Sequence, residues 1–118
     1  NKNIDEGKLI CQKEIKKDIT ETGESLYKKA NHAIINLFKE NYVKIIKGKY
    51  NTKEIKNNVG TFHLKKELDT HSMIDLDKEY KAIDLINIMR ARSFKDAPSS
   101  FFYLDDKKYY INIKIMPE

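Results

Sequence analysis

The chain has 118 residues, 40% hydrophobic and 35% charged, with a formal net charge of +5 and a mean hydropathy of −0.69. So polar a chain of this length is one compact domain or a piece of one, with a modest core that leans on another segment or another chain. It excludes a membrane-spanning helix, since no run of about 18 apolar residues occurs, and the lone Cys11 excludes an internal disulfide.

Asn1 to Gly7 is polar and reads as a loop. Lys8 to Ile15 has strand character centred on Leu9 and Ile10. Asp18 to Gly23 breaks that pattern, and Thr22 is a suitable N-cap for a helix. From Glu24 to Lys47, Leu26, Ala30, Ala33, Ile34, Leu37, Phe38, Ile45 and Ile46 recur at helical spacing, and Gly48 is a C-terminal stop. That is one long amphipathic helix, or two with a joint near Asn41. Lys49 to Ser72 carries little periodicity and reads as loop with short turns.

Asp77 is placed to cap a second helix through Met89, whose apolar residues wrap more than half the circumference and predict deep burial. Pro98 excludes helix, and Ser100 to Leu104 reads as a strand. Asp105-Asp106 turns the chain into Lys108 to Ile115, where Tyr109, Ile111, Ile113 and Ile115 alternate with polar neighbours to give one buried face. The order strand, long helix, linker, helix, β-hairpin is an α/β pattern, or α+β in the isolated piece. The first strand precedes a helix with no parallel partner after it, so it reads as the end of a larger sheet.

The basic excess invites a nucleic-acid reading, but the Lys residues are spread along the chain among 18 acids with no dense block. No nucleic-acid partner and no membrane are expected. The absence of a charged-then-apolar leader and the single cysteine fit a reducing cytoplasm. Only two of the 23 basic residues are arginine, Arg90 and Arg92. Where lysine is the default, a retained arginine points to a need for a planar, bidentate donor.

Several segments in register resemble the folate-dependent formyltransferases that act on methionyl-tRNA, glycinamide ribonucleotide and nucleotide sugars. Ile4-Asp5-Glu6-Gly7, with Leu9-Ile10 and Gln12 after it, is similar to the family's D-x-G signature. Thr22 with Ser25-Leu26-Tyr27 resembles the opening of its next helix. Thr61-Phe62-His63, Lys66-Glu67-Leu68 and Ile74-Asp75-Leu76 parallel its linker, and Met89-Arg90-Ala91 its closing helix. The subfamily acting on nucleotide-linked amino sugars is the nearest, through Ile74-Asp75-Leu76-Asp77, Tyr80 and Arg90-Ala91-Arg92-Ser93-Phe94.

The resemblance implies a C-terminal portion that completes an upstream Rossmann-like domain. Residues 1–72 would be the end of that catalytic domain plus a linker, and residues 73–118 a C-terminal helix and hairpin subdomain. It implies formyl transfer from 10-formyltetrahydrofolate to the amine of a nucleotide-linked amino-deoxysugar, by a complete enzyme that is a homodimer. The family's catalytic Asp maps onto Asp5, while its Asn and His lie upstream of residue 1, so this chain alone is expected to be inactive. Asn1, Lys2, Asn3, Ile4 and Asp5 would line the folate. By its residue type alone, Asp5 reads equally as a turn residue before Gly7.

On the substrate side the candidates are His63, displayed in an irregular linker, and Arg90 and Arg92. Two apart at a helix end, the arginines face different ways: one is structural, holding carbonyls or loops, and the other free to reach a phosphate or carboxylate. His32 and His71 read as surface residues, and three His with one distant Cys show no metal-ligand spacing, so no metal is expected. Methionyl-tRNA formylation and a non-catalytic dimerisation module are the competing readings.

Overall fold

The computed structural model describes residues 7–54, 61, 63–96 and 98–118. In chain order these form α1 (Gly23–Ile46), α2 (Glu67–Ser72), α3 (Ala82–Ala91), β1 (Ser100–Leu104) and β2 (Lys107–Ile111). The chain divides into two compact units, one of Asn1–Lys16 with Lys29–Phe62 and one of Lys17–Lys28 with His63–Glu118.

Both predicted ends of α1 are built as the sequence suggests. Thr22 Oγ1 accepts from the Ser25 N–H at 3.3 Å while Ser25 Oγ accepts from the Thr22 N–H at 2.9 Å. This is a reciprocal capping box with serine in the usual Glu position. Gly48 takes φ +63°, its N–H bonding to Ile45 O at 3.0 Å and the Lys49 N–H to Lys44 O at 2.8 Å, the paired closure of a Schellman stop. There is no joint at Asn41: its side-chain amide donates back to Leu37 O at 2.8 Å and the helix runs on. Leu26, Ala30, Ala33, Leu37, Asn41 and Ile45 form one half-buried stripe. Ile34, Phe38 and Ile46, expected on the same face, are exposed.

In the first unit the strand expected over Lys8 to Ile15 does not form. Among the described residues only Leu9 pairs, with Lys53, through two bonds of 2.9 and 2.8 Å. An apolar run becomes a strand only where a neighbour supplies a ladder, and Lys53 supplies a single bridge. Lys8–Glu54 and Lys13–Glu40 ion pairs lie at its surface.

In the second unit the linker contains a helix that periodicity does not announce, α2, too short to show any. Helix α3 starts four residues later than expected, with Lys81 and not Asp77 in the N-cap position. The Asp77 N–H instead donates to Asp75 Oδ1 at 3.1 Å, and the Asp75 N–H donates to the Tyr80 hydroxyl at 3.1 Å, a local turn that competes with helix. Nor is α3 deeply buried: none of its residues is, and Ile83 is half exposed. Among the described residues the buried apolar side chains are Ile74 and Phe101, joined by the Ile74 N–H donating to Phe101 O at 2.7 Å.

The hairpin pairs Ser100 with Ile111 through Leu104 with Lys107. Asp105 and Asp106 sit at φ 48° and 60°, the left-handed pair of a two-residue type I′ turn. Phe102 stacks on Tyr109, and Lys108 Nζ lies 3.7 Å from the Phe101 ring centroid on the other face. The ladder ends at Ile111, short of the expected Ile115. Ile111, Ile113 and Ile115 keep the predicted half-buried alternation, whereas Tyr109 is exposed.

Candidate functional site

The segment Arg90-Ala91-Arg92-Ser93, singled out by its arginines, is the junction of the second unit. Arg90 Nη1 donates to three backbone carbonyls, Asp18 O at 2.9 Å, Glu21 O at 3.0 Å and Ile19 O at 3.3 Å. Its Nε donates to Asn87 Oδ1 at 2.8 Å, one turn back on α3. The fork of the guanidinium thus holds the loop that leads into α1, a geometry an ammonium cannot reproduce. Arg92 turns elsewhere, as their spacing requires: Nη2 donates to Pro98 O at 3.2 Å, and Nε is buried with no partner among the described residues.

Serines complete the junction. Ser93 Oγ donates to Met89 O at 2.9 Å and accepts from the Ile113 N–H at 3.2 Å, while Ser93 O accepts from the Glu24 N–H at 3.3 Å. Ser100, fully buried, donates to Ile88 O at 3.0 Å, and Ser99 to Asn112 Oδ1 at 2.7 Å. A β-carbon at Gly23 would lie 2.2 Å from Ala91 O and 2.6 Å from the Phe94 ring, so only glycine lets α1 begin here. Glu24 adds a charged strap: it accepts from Lys28 Nζ at 2.5 Å and from the Lys95 N–H at 3.0 Å. The Lys28 bond first, then the Lys95 N–H, holds its carboxyl below the usual carboxylate range. Beside the junction lies a hollow of about 470 Å³ lined by Lys17, Glu21, Thr22, Leu26, Asn87 and Arg90, among others. It presents two cations and one carboxylate.

The expected substrate residues therefore occupy different places. Arg90 is on the 18–21 loop and Arg92 against Pro98, while His63 sits beside Glu67, its Nδ1 3.0 Å from Oε2. His71 meets the His63 ring edge-on at 6.3 Å, so His63, Glu67 and His71 form one group. A search of the sequence for His and Cys ligands alone passes over it; the signal is the spacing H-x3-E-x3-H. Asp5, and the folate candidates Asn1, Lys2, Asn3 and Ile4, lie outside the described residues. No described helix is long and apolar enough to cross a membrane.

This mixture of helices with a C-terminal antiparallel hairpin is the fold of the C-terminal part of formyltransferases. The whole chain superposes on a 4-N formyltransferase from Francisella tularensis with TM-score 0.91 and 22% identity, covering 49% of that protein. It matches a sugar N-formyltransferase from a Shewanella species with TM-score 0.86 and 21% identity, covering 48%. These are likenesses of fold. In sequence, 111 residues, 93% of the chain, are 32% identical to the bifunctional polymyxin resistance protein ArnA of Wigglesworthia glossinidia brevipalpis. The chain spans 16% of that relative. Residues 67–117 match the N-formyltransferase dimerization C-terminal domain, so this part of the chain is similar to that domain.

Proposed function

We propose that the protein to which this chain contributes transfers a formyl group from 10-formyltetrahydrofolate to the amine of a nucleotide-linked amino-deoxysugar in the cytoplasm. The observation that carries this reading is that the fold shared with a 4-N formyltransferase and a sugar N-formyltransferase extends over the whole chain and not over the matched domain alone. In the reaction the substrate amine attacks the formyl carbon. The C–N10 bond then breaks, the proton leaves the amine, and N10 of tetrahydrofolate ends protonated. Asp5 would orient and charge the histidine that carries that proton, and Asn1 to Ile4 would lie along the folate.

Arg92 and Arg90 belong to the substrate side in this reading, Arg90 through the loop it holds and the hollow it lines. Residues 73–118 would form the dimer contact, consistent with the exposure of Ile83, Tyr103, Leu104, Tyr110 and Met116. Large apolar side chains so placed favour a protein partner.

The test offers the complete enzyme 10-formyltetrahydrofolate with a panel of nucleotide-linked amino sugars or with charged initiator tRNA. Turnover on sugars is expected, with Asp5→Asn reducing it about 100-fold or more and the 118-residue chain alone giving none. Turnover on tRNA and on no sugar nucleotide overturns the assignment.

A further inference from the structure

The group His63, Glu67 and His71 has no part in the proposed transfer, and its geometry is specific. Bonds from the Glu67 N–H to Leu64 O at 2.9 Å and from the Leu68 N–H to Lys65 O at 3.2 Å continue the turn of α2 back toward His63. Residues 63, 67 and 71 therefore recur one per turn on one side. One ligand atom from each lies within 4.8 Å of the other two, and His63 Nδ1 is 3.0 Å from Glu67 Oε2.

Tetrahedral zinc with bonds of about 2.0–2.1 Å spaces its ligand atoms about 3.3 Å apart. The side chains thus need to move by at most about 1.5 Å to close on an ion, within the reach of ordinary rotamer adjustment. A helical His–Glu pair is commonplace and explains two members of the group. It does not explain the second imidazole converging from the next turn.

We propose that His63, Glu67 and His71 form a binding site for a divalent first-row transition metal of the zinc class. Two imidazoles and a carboxylate are a borderline, nitrogen-rich donor set that suits zinc and is too poor in oxygen for magnesium or calcium. The His63 and Glu67 side chains are 61% and 39% exposed, so the fourth position is open to water. His63 then meets the metal and not the sugar nucleotide. The ion would pin a helix of six residues that is too short to persist alone. It would thereby fix the approach to Ile74 and its bond to Phe101.

The experiment titrates the tag-free chain with zinc against a chromophoric chelator at neutral pH, and reads amide exchange with and without zinc. One ion per chain is expected, with exchange slowed across residues 63–72. Glu67→Gln, nearly isosteric, and His71→Ala should each weaken binding more than about tenfold, since loss of even an outer partner of a ligand costs that much. Cys11→Ser and His32→Ala should bind as the parent does. No uptake by the parent overturns the proposal. So does undiminished uptake by Glu67→Gln and His71→Ala, or protection at some other segment.

Discussion

Replacing Arg90 by alanine removes the side chain that closes the loop before α1. Its Nη1 carries two hydrogens and serves three carbonyls at 2.9, 3.0 and 3.3 Å, so those contacts amount to one or two good bonds, not three. The Nε bond to Asn87 at 2.8 Å is well formed. Bonds from a charged donor contribute about 1.5–3 kcal/mol each when sheltered. Much of this site is exposed, which lowers each of the two or three bonds to about 1 kcal/mol, and a loss of about 2–3 kcal/mol is expected. Arg90→Lys should recover less than half, because one ammonium cannot span both Asn87 and the loop. Urea unfolding monitored by far-ultraviolet circular dichroism measures the change, and amide exchange over residues 17–28 locates it. An alanine variant within about 0.5 kcal/mol of the parent, the usual range for an inconsequential surface change, refutes the clamp, as does a lysine variant equal to arginine.

Local geometry sets three further outcomes. Gly48→Ala places a β-carbon at φ +63° with nothing within 4 Å, so its cost is backbone strain alone, about 1–2 kcal/mol by thermal unfolding. Exchanging Asp105-Asp106 for Asn-Gly suits the left-handed pair better and should raise hairpin stability by about 0.5–1 kcal/mol, read from exchange protection of β1 and β2. The depressed carboxyl of Glu24 adds stability above its unfolded pKa, and that stability disappears as pH falls through the lower folded value. The gap between the parent and Glu24→Gln should therefore close on acidification, and a gap that widens contradicts the strap.

The elements legible in the sequence are those whose ends are written locally. Thr22 and Gly48 bracket α1, and the Asp105-Asp106 pair sets the hairpin; each rests on residues within a turn of one another. Lys8 to Ile15 fails as a strand because a ladder depends on a partner the run itself does not specify. Asp77 suggests too early a start for α3 because it answers to Asp75, a competition between two acids that a capping rule does not resolve. The arginine pair is legible as one structural and one differently directed residue, yet which loop Arg90 holds cannot be read across some 70 residues of sequence. Glu67 escapes notice between two histidines because its carboxylate looks like ordinary helix charge. For Asp5 the resemblance remains the ground, since it lies outside the described residues.

The separation between Arg90 and the carbonyl of Asp18, 72 residues, also has a meaning in time. A ribosome adding about 5–20 residues per second delivers Arg90 some 4–14 seconds after Asp18. Through that interval the start of α1 has local bonds such as its Thr22–Ser25 box and the Glu24–Lys28 pair but none of those to Arg90, Ser93 and Lys95, while the hairpin, whose partners lie within about a dozen residues, can zip within microseconds of emerging. The loop at residues 18–21 must wait for Arg90, and that loop is where a chaperone or protease would find the nascent protein open.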